Sequence, residues 1–542
     1  MVFGATPQPD VADVTISILM PVYNTPPDLL DAAIRSVLCQ TYPNWELCIC
    51  DDASTSAQTH RTLAKFKGID HRLKIYQSPT NLNIAGATNA AAEFATGNFI
   101  AFLDHDDTLE FDALEQIVAE IRTNPDADVL YTDEDKIEPN GAYSEPYMKP
   151  DWSPEHLTSV MYLLHMLVVR KSLFLDLGGL RNAYSGAQDY DLALRATARA
   201  RRVVHIPRVL YHWRKIDGSA AAALEAKPQA LVNAGAALAD FVKPYDATVE
   251  RGLFPGSFRV RWPIDKSKPV TLVILTNSRY REVEGRGRIL LAEHFVRSIL
   301  AKTTYPNIRI LVVDDGKMPA SVRDDLIGRG VAVEPYKLDG PFNFARKLNY
   351  ALTLVKTDDV IILNDDMEVI APDWVEALLE QSRRPEIGAV GARLLFANGS
   401  VQHAGVVLGV QGSAGHIFHQ WPGSRIAYCG FSHVVRNYSA VTAAVLATRM
   451  NVIRRVGGFD EDFAVDYNDI DFCLKVRAAG YRIVYTPFAE LYHFEASSLV
   501  RSAPNEADAQ SFRARWANEI DADPHYSPHL PRHRNDCTLE EW

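Results

Sequence analysis

The stretch Asn98 to Asp107, NFIAFLDHDD, is an apolar run of buried-strand length that stops in three carboxylates and an imidazole. Held together without a counter-ion, Asp104, Asp106 and Asp107 would raise one another's proton affinity, so the cluster asks for a cation between them. Asp104-His105-Asp106 is therefore a candidate site for a hard divalent ion. Such an ion, held by only one or two carboxylates, keeps positions free for phosphate oxygens. Helix capping is the competing reading. Asp112 and Glu115 have capping-box spacing ahead of Leu114, Ile117, Val118 and Ile121. Capping accounts for Asp112 and can extend to Asp107, but it leaves Asp104 and Asp106 unexplained.

Three further groups carry chemistry. Pro21-Val22-Tyr23-Asn24 and Asp51-Asp52-Ala53-Ser54 each close an apolar strand. An aromatic face at Tyr23 and a carboxylate at Asp52 suit a nucleobase, stacking on the one and donating a ring N–H to the other; an ordinary acidic turn is the alternative for Asp51-Asp52. Asp189 lies near the start of a helix at QDYDLALR, where it is either a cap or a general base. His212 follows the apolar segment HIPRVLYHWR and on its own reads as a structural histidine.

The elements that must position these groups alternate. Strands at Thr15 to Met20, Trp45 to Cys50, Leu73 to Tyr76 and Asn98 to Leu103 are separated by amphipathic helices, which implies an α/β fold with a doubly wound, mostly parallel sheet. In such a sheet the strands' carboxyl ends share one rim, so Tyr23, Asp52, Asp104 and Asp106 can converge there.

The pattern then recurs. Asn349 and Asp366 stand 260 positions after Asn89 and Asp106 (349 − 89 and 366 − 106). LCICDDAS returns as ILVVDDGK, FLDHDD as IILNDDME, the segment containing QDYDLALR as the one containing NDIDFCLK, and VLYHWR as ELYHFE. A duplication that keeps acidic strand ends, an acidic helix start and a terminal histidine in one order is poorly explained by capping.

With these motifs the chain resembles glycosyltransferase family 2 in tandem, over roughly residues 14–218 and 269–500. The resemblance implies two GT-A domains, a nucleotide-diphosphate sugar donor, Mn²⁺ or Mg²⁺ beneath the diphosphate, and a one-step inverting displacement. TDEDK, MKPDWSP and DPHYSPHL look like tandem enzymes of bacterial surface-polysaccharide assembly, which implies a growing, lipid-linked glycan acceptor. Carried over, Pro21, Tyr23 and Asp52 belong to the nucleotide site, Asp104 and Asp106 form the DxD pair with Asp104 also facing the donor, His212 resembles an accessory metal or diphosphate ligand, and Asp189 looks like the base. The matching positions are Asn277, Asp315 and Asp365 for the donor, Asp366 and His493 for the metal, and Asp469 for the base. Asn364 stands where Asp104 would be and Asn277 where Tyr23 would be, departures that bear on metal affinity and nucleotide identity in the second half.

Bulk properties fit this frame. A formal charge of −12 excludes a nucleic-acid coat and a strong generic attraction to anionic lipid. Six cysteines without a CxxC pair, four of them in or beside apolar segments, read as reduced core residues of a cytoplasmic protein. The opening MVFGATPQPD shows no signal-peptide pattern, and the longest apolar run, Val160 to Val169, falls short of the ~20 residues a membrane span needs. The expected layout is a flexible N-terminus over 1–13, a first domain over 14–218, a helical connector over 219–268 with a short strand near Phe258 to Trp262, a second domain over 269–500 and a C-terminal extension over 501–542. The segment around Phe512 and Trp516 suits peripheral contact at the inner membrane face, a dimer contact, or packing on the second domain. Val401 to His419 is an insertion suited to an acceptor loop, its histidines reading as solvated rather than zinc-bound. Two other functions compete: one live transferase half joined to a non-catalytic binding half, and a nucleotidyltransferase. The latter usually has a Gly-rich basic phosphate loop after the first strand, and PVYNTPPD supplies none.

Overall fold

The structure is a computed structural model and describes residues 14–216, 228–337, 340–494 and 505–539. The expected flexible N-terminus, and the connector helix from residue 219 up to residue 227, lie outside those residues. The chain builds two sheets of the same plan. In the first, β1 (Ile16–Val22), β2 (Trp45–Asp51), β3 (Leu73–Gln77), β4 (Phe99–Phe102), β5 (Thr108–Leu109), β6 (Ala127–Ile137), β8 (Leu167–Arg170) and β9 (Arg202–Arg214) run in the order β3-β2-β1-β4-β8-β6-β9-β5, with β7 (Tyr143–Tyr147) paired to β6. The β3-β2-β1-β4 half is parallel, and β8 then pairs antiparallel with both β4 and β6. Every residue of β1 and β2 is buried, as befits parallel strands covered by helices on both faces.

A small hairpin, β10 (Thr248–Arg251) with β11 (Phe258–Arg261), follows the connector helix Pro228–Val242. The second domain adds the hairpin β13 (Tyr280–Val283) and β14 (Gly287–Leu290). Its main sheet comprises β12 (Val270–Thr276), β15 (Ile308–Asp314), β16 (Ala332–Pro335), β17 (Asp359–Asn364), β18 (Met367–Val369), β19 (Ile387–Leu395), β24 (Val445–Arg449) and β25 (Arg482–His493). Their order, β16-β15-β12-β17-β24-β19-β25-β18, repeats that of the first sheet. β20 (Val401–His403) and β23 (Arg436–Asn437) attach to β19 and β25, and β21 (Val406–Leu408) pairs with β22 (Ala414–His416) inside the insertion.

In both sheets the chain leaves the first strand to one side and returns on the other, so the crevice between β1 and β4, or between β12 and β17, is a topological switch point. Register fixes what stands there: Val22 is opposite Asp51, and Thr276 opposite Asp314.

The two domains share a core. Tyr147 and Phe431 pack with ring centroids 6.4 Å apart, and the Tyr428 hydroxyl accepts from Met148 N at 2.8 Å. Glu155, in the DWSP segment of the first domain, is buried and takes Arg482 Nη2 at 2.8 Å, Arg384 Nη2 at 2.9 Å and Asn437 Nδ2 at 2.7 Å from the second. The tail closes the same junction: Asp151 N donates to Pro524 O at 2.8 Å and Ser153 Oγ meets His525 Nδ1 at 3.3 Å. MKPDWSP and DPHYSPHL are thus an interdomain clamp. Upstream, Phe512 stacks on Tyr467 and Trp516 Nε1 donates to Asp471 at 3.0 Å, so this segment packs on the second domain.

Three local expectations fail. The histidines of the insertion are not solvated: His403 is buried with its Nδ1 3.1 Å from that of His416, and His419 Nδ1 meets Gln402 O at 3.0 Å, because the insertion folds back on the second sheet through β20. Asp112 starts the helix Ala113–Thr123 without capping it; its Oδ2 accepts from Gln116, while Glu115 is drawn off by Thr41 Oγ1 at 2.7 Å. Cys39, just past the helix Pro27–Leu38, is exposed rather than in the core, because it falls off the face that buries Leu30, Ala33, Ile34 and Val37; all six cysteines are free. Among the described residues no helix is long and apolar enough to cross a membrane.

Candidate active sites

At the first switch point the residues after β4 form a tight turn, with Asp107 N donating to Asp104 O at 3.3 Å. The turn sorts the three carboxylates. Asp107 is pulled inward, accepting from Arg214 N at 2.7 Å and from the Tyr211 hydroxyl at 2.6 Å. Burial, with Asp106 and Asp104 adding, pushes its carboxyl well above the usual carboxylate range. Asp104 and Asp106 stay half-buried on the rim.

Asp189 joins them. It lies in the first turn of the helix Gln188–Arg199, whose N-cap position is Ala187, and its carboxylate accepts from the adjacent Tyr190 N, at 2.8 Å. A capping acid would hold an amide two or three residues on, so this geometry is not a cap. Burial raises its carboxyl, His165 opposes the rise and Asp104 adds to it, which places Asp189 within electrostatic reach of both. His165 stacks on Tyr211 with centroids 4.6 Å apart.

On the nucleotide side, Pro21 is buried in β1 opposite Cys50, and Tyr23 emerges 48% exposed at the strand's end. Asp52 is buried, and its Oδ1 accepts from Leu82 N at 2.5 Å. His212 is placed elsewhere. Its Nδ1 meets Asp135 at 2.6 Å and its Nε2 meets Glu110 at 3.3 Å, so both ring nitrogens are engaged away from Asp104 and Asp106.

The second switch point carries the counterparts with altered contacts. Asp366 Oδ1 lies 3.1 Å from His493 Nε2, which is 3.5 Å from Asn364 Nδ2. Burial pushes the Asp366 carboxyl up, but His493 and Arg281 pull harder, and it ends below the usual carboxylate range. Asp365 is pushed up to about 6 by burial, with Asp366 adding and its bond from the Thr276 hydroxyl opposing. Asp469 accepts from Ala443 N at 3.0 Å, and the next residue, Ala444, accepts from Asn364 N at 3.0 Å, so the helix-start acid again borders the acidic strand end. Asp315 is paired with Lys347 Nζ at 2.5 Å. Asn277 is half-buried at the end of β12.

The matched profiles account for this double plan. The profile described as Glycosyl transferase family 2 matches residues 17–175, and that described as Glycosyltransferase like family 2 matches residues 286–518. The chain is a pair of glycosyltransferase family 2 domains in tandem. It is 39% identical over 97% of its length to the uncharacterized protein y4gI of Sinorhizobium fredii, covering 58% of that protein. It is 36% identical over 97% of its length to the O-antigen biosynthesis protein RfbC of Myxococcus xanthus, covering 41% of it. The chain therefore spans about half the length of these relatives. Over 112 residues it is 42% identical to UDP-Glc:alpha-D-GlcNAc-diphosphoundecaprenol beta-1,3-glucosyltransferase WfgD of Escherichia coli, covering 21% of this chain and 43% of that one.

Two features of these family 2 domains were not singled out from the sequence. Lys347 is buried at a core position of the helix Phe344–Thr353, in step with Leu348 and Ala351, and a lysine at such spacing is itself a signal. His165 lies in the antiparallel connection before β8, which no alternating βα reading places on the rim.

Among the described residues no three of His, Cys, Asp and Glu converge to enclose a metal by themselves. The donor sets nevertheless fit a cation shared with a diphosphate: half-buried, hard carboxylate oxygens at Asp104 and Asp106, and at Asp366 beside His493, suit Mg²⁺ or Mn²⁺.

Proposed function

We propose that the chain transfers sugars from nucleotide-diphosphate sugars, with inversion, to a growing bacterial surface glycan on a lipid carrier, and that both domains do so in succession. The observation that carries this reading is the repeated neighbourhood of a helix-start acid and an acidic strand end, Asp189 by Asp104 and Asp469 by the Ala443–Ala444 link to Asn364. Asp189, raised by burial, is suited to take the proton of an attacking hydroxyl; Asp104 and Asp106 face the leaving diphosphate; Tyr23 and Asp52 hold the base. Asp104 and Asp106, and in the second domain Asp366 beside His493, would hold a divalent ion, which would supply Lewis-acid stabilisation of the leaving oxygen. The relatives named for O-antigen biosynthesis and for an undecaprenol-linked substrate support the choice of acceptor.

A second reading, in which only the first domain turns over, draws on Asn364 replacing an acidic position and on the Lys347–Asp315 pair. Release of nucleoside diphosphate from a panel of nucleotide sugars, with and without chelator, tests the main reading. Chelation should stop release and Mn²⁺ or Mg²⁺ restore it; full activity in excess chelator contradicts the cation's role.

A further inference from the structure

The two nucleotide sites are not chemically equivalent. Buried positions of the helix Asn83–Glu93 recur 260 later in the helix Phe344–Thr353: Ala85, Thr88, Ala91 and Ala92 become Ala345, Leu348, Ala351 and Leu352 (345 − 85 and so on), and between them Ala87 becomes Lys347. Lys347 is 2% exposed. Its ammonium donates to Asp315 Oδ1 at 2.5 Å and to Thr276 O at 2.6 Å, and lies 5.9 Å from the centroid of Tyr336. Asp315 is the counterpart of Asp52, which has a backbone amide from Leu82 as its partner and, among the described residues, no lysine. Tyr336 N donates to Asp314 O at 2.7 Å as Ser78 N does to Asp51 O at 2.8 Å, so an aromatic ring stands after β16 where the first domain has a serine after β3. After the first strand of the domain Tyr23 has become Asn277. The second domain thus lacks the exposed ring after its first strand, carries a ring beside Lys347 instead, and gains a buried cation.

Resting on the donor-binding reading above, we propose that the second domain takes a different nucleotide from the first and that Lys347 sets the choice. A carboxylate only accepts hydrogen bonds, whereas an ammonium offers three donors, of which two are used among the described residues. Asp52 presents acceptor capacity alone and selects bases by their N–H donors. Asp315 with Lys347 presents an acceptor beside a cationic donor, in a pocket whose local charge is neutralised, and favours a base that sets a carbonyl oxygen beside its ring N–H over one that sets a ring nitrogen beside an amino group. A site built to pair both groups penalises a base that leaves one of them unpaired.

Equilibrium binding of UDP, dTDP, GDP, CDP and ADP to the full chain with Mn²⁺ tests this. The wild type should show two classes of site with different nucleotide rankings. K347M should alter the ranking of one class by about tenfold or more and leave the other as an internal control, while K347R should preserve both. A87K, the reverse exchange, should move the first-domain ranking toward that of the second and keeps the test open if K347M does not fold. Two classes with one ranking, a single class, or a folded K347M with unchanged rankings overturns the proposal. Binding confined to one class leaves the first-domain function standing, whereas no binding of any nucleotide removes the donor-binding reading itself.

Discussion

His493 Nε2 lies 3.1 Å from Asp366 Oδ1, whereas the corresponding histidine of the first domain, His212, places Nδ1 2.6 Å from Asp135. The cause is one residue of chain. Five positions separate Pro207 from His212 and six separate Pro487 from His493 (212 − 207 and 493 − 487), so the same motif meets the sheet one register later. His212 sits opposite Thr108, while His493 sits opposite Met367, the residue next to Asp366. A one-residue slip re-aims every side chain beyond it.

It follows that the two histidines answer differently to removal. H493A should weaken the Mn²⁺ dependence of second-domain transfer. H212A should leave the metal response of the first domain intact and lower its stability instead, because Asp135 and Glu110 lose the imidazole that bridges them. Metal titration of activity together with denaturant unfolding checks both, and equal shifts in metal response for the two variants would contradict the register argument.

Asp189 is tested by D189N. The amide keeps the acceptor that holds Tyr190 N but cannot take a proton, so first-domain transfer should fall by about 10²–10⁴-fold with donor affinity retained. Single-turnover rates beside nucleotide binding separate the two effects.

Glu155 should couple the domains. E155A removes the buried carboxylate that Arg384 and Arg482 share and leaves both to Glu386, at 2.7 and 3.3 Å. Because the arginines are partly exposed and keep that partner, the loss belongs at or below the lower end for a broken buried pair, about 2–3 kcal/mol, read as a lower urea midpoint and a separation of the two domains' transitions.

Acid stability should depend on Glu46. Its burial raises the carboxyl, but bonds from Lys74, Ser17 and Thr96 outweigh burial and bring it to about 2. A carboxyl depressed in the folded state stabilises fully above its ordinary value of 4.5 and loses that contribution as pH falls toward about 2. E46Q should therefore be less stable than wild type at neutral pH, and the gap should close across that interval in pH-dependent unfolding.

Much of this architecture is legible in the residues themselves. Alternating apolar strands and amphipathic helices give the parallel half of each sheet, and the 260-residue recurrence exposes the second domain and its switch point. What local pattern misses is set by distant partners. Asp107 looks like its neighbours in the sequence, and only Tyr211 and Arg214, more than a hundred residues away, draw it into the core. Glu115 has capping-box spacing, but Thr41 competes for it from another element. The proline-to-histidine spacing was present in the sequence all along, yet it acquires meaning only once β9 and β25 are laid against their neighbours.

The central claim is that one chain makes two successive bonds, and sizing the products of complementary base variants tests it most directly. D189N and D469N would each be given the acceptor and the full set of donors. Two live centres require each variant to stop at a different product, with the mixture of the two restoring the wild-type product. If D469N alone yields the wild-type product, the second domain is a binding or structural module and the claim is contradicted.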